Sequence, residues 1–278
     1  MKARNAVRRG SLNLAALAVF AVTIFPVYWM ASTAFKPTRD INADTPVFVP
    51  TRLTLEHFRT AIGADGFGTF WRNSLLVTVV AVVLALLVAL GAAFAVARLQ
   101  FRGRRGFVLM VFIAQMAPWE AMLIPVYIIA RDTDMLDRLA MLTLLYFIFT
   151  LPFTIITLRG FLAAVPVELE EAAQVDGCTR LSAFRRVTFP LLAPGLLATS
   201  LFGFITAWNE FAFANMLIVK NQDDRILPVW LSSFSNTFGT DWGATMAAST
   251  LFALPVLILF LVLQRRVTTG FVSGSVKG

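Results

Sequence analysis

Charge is scarce in this chain. Asp, Glu, Lys and Arg make up 14% of its 278 residues, hydrophobic residues 58%, and the mean hydropathy is +0.75. A soluble domain needs far more polar surface, so an integral membrane protein is the class that fits. Cys178 is the only cysteine, which excludes an internal disulfide framework. One histidine, His57, and one cysteine cannot build a zinc site, and a His-dependent catalytic triad has no further evidence for it in the chain. His57 falls in a polar stretch and is expected to be a solvated surface residue. The four lysines are Lys2, Lys36, Lys220 and Lys277, and none is followed by Ser or Thr, so no phosphate-binding loop exists. These absences leave no catalytic residues and no cofactor or metal site. Any nucleotide that drives this protein must bind a different chain.

What the chain has is apolar runs, each near the roughly 20 residues that cross a bilayer. Lys2, Arg4, Arg8 and Arg9 precede an uncharged run over residues 11–35. A cleaved signal peptide would share that pattern, but this run is longer than a signal core and five more follow, so it is read as a first span. The others are expected at about residues 73–97, 107–130, 139–158, 191–219 and 243–263. Residues 36–70 and 220–242 form the two long loops on one side, the first with a short helix near residues 55–62. With the N-terminus placed in the cytoplasm, fifteen of the 24 Lys and Arg residues fall on the inner side, but only Glu168, Glu170, Glu171 and Asp176 among the acids. Basic loops stay inside. The expected fold is therefore all-α, a single transmembrane domain over residues 1–278. It has six spans, both termini in the cytoplasm and a tail over residues 264–278, in a multi-pass protein of the cytoplasmic membrane. The net charge of +8 is a topology signal and an attraction to anionic lipid, not a nucleic-acid footprint.

Residues 166–190, PVELEEAAQVDGCTRLSAFRRVTFP, are the long polar exception in the second half. Pro166 suits a first helical position, and Glu168, Glu170 and Glu171 favour the first turns of a helix. Gly177 reads as a left-handed cap, and Thr179 as the cap of a second helix with Leu181, Phe184 and Val187 along one face. Small Ala172 and Ala173 let a partner surface approach the backbone. The alternative is an interfacial loop held by headgroups, which three glutamates near an anionic leaflet suit poorly.

This knob resembles the EAA loop of ABC importer permeases. Glu171-Ala172-Ala173, Gly177 and Val187-Thr188-Phe189-Pro190 stand at the family's spacing, with Phe189 where leucine is commoner. Ala207-Trp208-Asn209-Glu210-Phe211 and the tail from Gly270 to Gly278 are similar to the second permease subunit of maltose-type carbohydrate importers. The resemblance implies a type I importer permease that does no covalent chemistry. Its implied partners are a second homologous permease, two cytoplasmic ATPases that bind ATP and magnesium, and an extracytoplasmic solute-binding protein. It also implies that the ATPases dock on Glu171, Ala172, Ala173, Asp176, Gly177, Val187 and Pro190. The solute would be a sugar or oligosaccharide.

Two carboxylates fall near the middle of spans, Glu120 in the third and Glu210 in the fifth, with Gln115 and Asn209 as polar companions. Charge at midplane costs about 2.5–3.5 kcal/mol, so such residues face a bundle interior or water. Lining a translocation pathway and hydrogen-bonded packing between helices are both open to them. The rival reading of the whole chain is an ion- or proton-coupled secondary transporter using Glu120 and Glu210 as relay groups. Trp119, Phe202 and their aromatic neighbours fit packing better than sugar stacking.

Overall fold

A computed structural model describes the backbone of residues 2–236 and 239–274, and the side chains of residues 11–235 and 239–264. Helices dominate because the runs hold little that interrupts them. Helix α1 (Lys2–Ala34) contains the apolar stretch Ser11–Ala34, followed by the short helices α2 (Thr38–Ile41) and α3 (Glu56–Gly63). Helix α4 (Phe67–Arg98) starts six residues earlier than the hydropathy indicates. Helix α5 (Arg104–Met116) and helix α6 (Leu123–Asp132) are joined by a 3₁₀ turn (Trp119–Met122), and the pair is bent by 85° at that break. The bend has a cause: Pro118 pushes Ala117 to extended backbone (ψ 131°) and removes a donor. Helix α7 (Leu139–Ala164) runs through Pro152 and six residues beyond its expected end.

Helix α8 (Glu168–Val175) and helix α9 (Arg180–Ala183) follow, then a π-turn (Phe184–Thr188) that leads without a break into helix α10 (Phe189–Trp208). The expected fifth span over 191–219 is corrected here. Its helix stops at Trp208, and the separate helix α11 (Ala212–Leu217) follows. The polar pair Asn209-Glu210 sits in the break. Helix α12 (Leu227–Ser232), an antiparallel pair of two-residue strands β1 (Ser235–Asn236) and β2 (Gly239–Thr240), and helix α13 (Trp242–Gly274) complete the chain. Among the described residues, five helices are long and apolar enough to span a membrane, six when the bent pair counts as one. Helix α13 continues through most of the expected tail. Residues 275–278 of the tail motif lie outside the described residues.

The chain forms two compact units, one of Met1–Phe67 with Trp230–Leu254, the other of Gly68–Val229 with Pro255–Gly278. In the first unit His57 is buried, not solvated, with its Nε2 3.0 Å from the carbonyl of Lys36. That carbonyl meets the polar need of one ring nitrogen. In the second unit Ala81, Ala85, Ala89 and Ala93 recur every fourth residue along α4 and are fully buried. A stripe of small residues lets helices approach closely where lipid supplies no hydrophobic drive. Gly203 of α10 does the same against α7: a Cβ there would lie 2.8 Å from Thr150 Cγ2. The core gathers Val77, Leu142, Leu145, Tyr146, Phe213 and Leu217 around α7 and α11.

Candidate functional site

The knob over residues 166–190 is built as a turn between two helices. Pro166 precedes α8 rather than opening it, its carbonyl taking the amide of Leu169 at 3.4 Å. Helix α8 carries Glu168, Glu170 and Glu171 in its first turn, where the unpaired amides favour negative charge. It ends at Gly177, whose φ of +89° lies in the left-handed region, with Gly177 N donating to Gln174 O at 3.0 Å. The Thr179 hydroxyl then accepts from Ser182 N at 3.3 Å, capping α9. Glu171, Ala172, Asp176, Gly177 and Pro190 are exposed, and Ala173 and Val187 half-buried. A Cβ added at Gly177 meets nothing within 4 Å, so the space beside the turn is open.

The second helix presents a different face from the one its spacing indicates. Leu181 is 76% exposed, whereas Phe184 packs edge-on against Phe94 at 4.8 Å. The π-turn explains this, since its extra residue breaks the periodicity that would align positions 181, 184 and 187. Val175 at the end of α8 is 88% exposed as well. Two apolar side chains thus flank the Gly177 turn uncovered.

Glu170 points the opposite way from Glu171. It is buried, its Oε1 accepting from Arg98 Nε and from Thr188 Oγ1, each at 2.8 Å. Arg98 also donates through Nη2 to Val165 O at 2.8 Å. Motif matching misses this carboxylate because it precedes the motif by one residue. Helical geometry bears on it: successive residues point about 100° apart, so Glu170 and Glu171 lie on different faces of the helix.

The four residues expected along a pathway have different surroundings. Glu210 is 3% exposed. Its Oε2 accepts from Tyr146 OH at 2.7 Å and from Ala214 N at 3.2 Å, and its Oε1 from Phe213 N at 2.8 Å. It therefore caps α11 and ties that helix to α7. Asn209 is exposed, its amide donating to Ile205 O at 2.7 Å. Glu120 is exposed on the 3₁₀ turn of the bent span. Gln115 lines a cavity of about 430 Å³, with Trp119, Phe149, Thr150, Phe153, Phe202 and Thr206 among its walls. Phe153 and Phe202 stack there at 4.3 Å. Trp119 also packs on Phe149 and Phe213, as a core residue would.

On the far side of α7, Asp137 gathers three successive amides on its Oδ1: Val219 N at 2.6 Å, Lys220 N at 2.7 Å and Asn221 N at 3.2 Å. Burial raises the pKa of this carboxyl, but the amides outweigh it and hold the group below the usual carboxylate value. Asn73 donates to the carbonyls of Asp223 and Arg225, and Ser74 Oγ takes the amide of Leu227. Side chains thus pin the start of the 220–242 loop, taking up backbone groups ahead of helix α12.

With that geometry described, known proteins supply a comparison. The pattern of the family described as "Binding-protein-dependent transport system inner membrane component" matches residues 81–271. The chain is 58% identical over 266 residues to the diacetylchitobiose uptake system permease protein DasC of Streptomyces coelicolor, covering 96% of each chain. It is 32% identical over 262 residues to the trehalose transport system permease protein SugB of Mycobacterium tuberculosis, covering 94% of each. In fold it is similar to a chain of a bacterial ABC transporter involved in the import of the acidic polysaccharide alginate. That match has a TM-score of 0.77 at 23% identity, over 94% of this chain and 97% of that one.

Proposed function

Because this chain belongs to the family of binding-protein-dependent transport system inner membrane components, we propose that it forms half of a solute pore closed and opened by partner ATPases. It is a multi-pass permease subunit of an ABC importer, and the ATPase of such a system is a separate subunit. The proposed partners are a second homologous permease, two ATPases that bind ATP and magnesium, and an extracytoplasmic binding protein. The ATPases dock on Glu171, Ala172, Ala173, Asp176, Gly177, Val187 and Pro190. When ATP closes the ATPase pair, the knobs of the two permeases are drawn together and the pore opens outward to receive solute.

The solute we propose is a small N-acetylated β-linked amino-sugar oligosaccharide. The 58% identity to a diacetylchitobiose permease over 96% of both chains carries that reading. The cavity beside Gln115 supports it, since aromatic faces and one amide suit sugar C–H faces and polar substituents. Within this reading Gln115 lines the path, Asn209 and Glu120 lie on exposed backbone near helix breaks, and Glu210 holds the frame. The relay carrier with Glu120 and Glu210 is set aside by the family match. Vesicles holding this chain, its partner permease and the ATPases should take up radiolabelled diacetylchitobiose delivered by the binding protein, and unlabelled trehalose should compete poorly. Uptake of trehalose in preference would overturn the substrate assignment.

We place the knob in the cytoplasm and the loops over residues 36–70 and 220–242 outside, on the charge asymmetry. The membrane sides are testable in whole cells. In a Cys178→Ser background, an impermeant maleimide should label Asp223→Cys and Arg52→Cys, both at exposed positions. Cys178 in the native chain should stay unlabelled until the membrane is permeabilised. The reverse pattern would put the knob on the side away from the ATPases.

A further inference from the structure

Adjacent glutamates of the knob face opposite ways, and that division suggests two separable tasks. Glu171 is exposed and free to meet a partner, whereas the Glu170 side chain is 5% exposed and the Arg98 side chain paired with it 10%. One carboxylate oxygen collects Arg98 from the end of α4 and Thr188 from the π-turn ahead of α10. The same guanidinium reaches the carbonyl of Val165, the residue that follows α7. Three spans are thereby tied to α8 at one point.

We infer that the Arg98–Glu170 pair is the positioning element that carries displacement of the knob into the ends of α4, α7 and α10. This rests on the reading of residues 166–190 as the coupling knob. The contact is suited to transmit force. It is largely out of water, so salt screens it little, and its hydrogen bonds are charge-assisted and therefore short and directional. Losing one partner would strand a buried charge, so the pair holds together or breaks as a unit. Phe94 of α4 packed on Phe184 gives a second strut between the same parts. Without these ties, α8 would be joined to the spans by the extended Val165 and Pro166 on one side and by the Gly177 turn on the other.

The test uses the complete transporter with its binding protein in vesicles, and reads solute imported per ATP hydrolysed at matched amounts of complex. Glu170→Ala and Arg98→Met should assemble with the ATPases yet import about tenfold less solute per ATP, the effect of about 1.4 kcal/mol on an equilibrium. The double variant Arg98→Met/Glu170→Ala should be no worse than the poorer single, because both remove one interaction. Should either single variant fail to accumulate, Glu170→Gln and Arg98→Lys take their place, with smaller losses of the same ratio. A residue that only stabilised the fold would lower the amount of complex and leave the ratio unchanged. A wild-type ratio in the single variants, or losses that multiply in the double, would overturn the inference. Gly177→Leu serves as the reference: if it imports normally, the knob itself is misassigned. If it fails while the Arg98 and Glu170 variants import normally, only the positioning role is lost.

Discussion

Vesicles carrying Gly177→Leu should insert and assemble the permease pair but lose binding-protein-stimulated, ATP-driven uptake. Two effects converge on this position. The backbone stands at φ +89°, where a side chain costs roughly 1 kcal/mol or more. The space around it is open within the chain, so the added isobutyl group projects outward beside exposed Val175 and Leu181. A bulky side chain there holds an approaching ATPase surface off the turn. Glu171→Ala should act in the same direction more weakly. It removes one exposed charge, and a hydrogen bond to a charged partner is worth about 1.5–3 kcal/mol when desolvated. The measurement is stimulated hydrolysis and uptake in the same vesicles, beside co-purification of the ATPases. Full assembly with wild-type uptake by Gly177→Leu would remove the knob from the mechanism.

Glu210→Leu should cost folding rather than solute affinity. The leucine leaves the amides of Phe213 and Ala214 and the hydroxyl of Tyr146 without the acceptor they share. Each buried donor left unmade costs about 1–3 kcal/mol, so the loss of all three rivals the stability of a whole domain. The variant should accumulate poorly and melt well below the wild type in detergent. Glu210→Gln keeps a carbonyl oxygen for one amide and should lie between. Tyr146→Phe, which removes a single donor, should be mild. If Glu210→Leu instead folded as the wild type and raised only the KM for uptake, the residue would line the path after all. Gln115→Ala is the contrasting variant: it touches the cavity wall from an exposed position and should change uptake without changing melting.

Glu210 shows what a hydropathy pattern leaves open. A glutamate counted into an apolar run looks like a charge at midplane, and Glu210 was placed so because residues 191–219 read as one span. Hydropathy averages over a window and cannot see that Asn209-Glu210 end one helix and cap the next. Pro118 marks a kink in the third run, but its 85° angle follows from backbone geometry and not from hydropathy. His57 was misplaced for a related reason: composition marks its segment as polar, whereas burial depends on what packs over it. The π-turn at Phe184–Thr188 likewise defeated a face drawn with ordinary helical spacing.

Other features were legible because they are local. Membrane class follows from apolar content that no soluble surface could hold, and span number from run lengths set by bilayer thickness. The Gly177 turn and the Thr179 cap follow from backbone rules that act over four residues. The absence of any phosphate-binding loop is a statement about sequence alone. Which glutamate is offered to a partner and which is buried beneath Arg98 was decided by tertiary structure, since residues 98 and 170 meet only after α4, α7 and α10 have packed. Whether Glu210 faces solute or a helix end was decided the same way, because a hydrogen bond across 64 residues leaves no periodic trace in the chain.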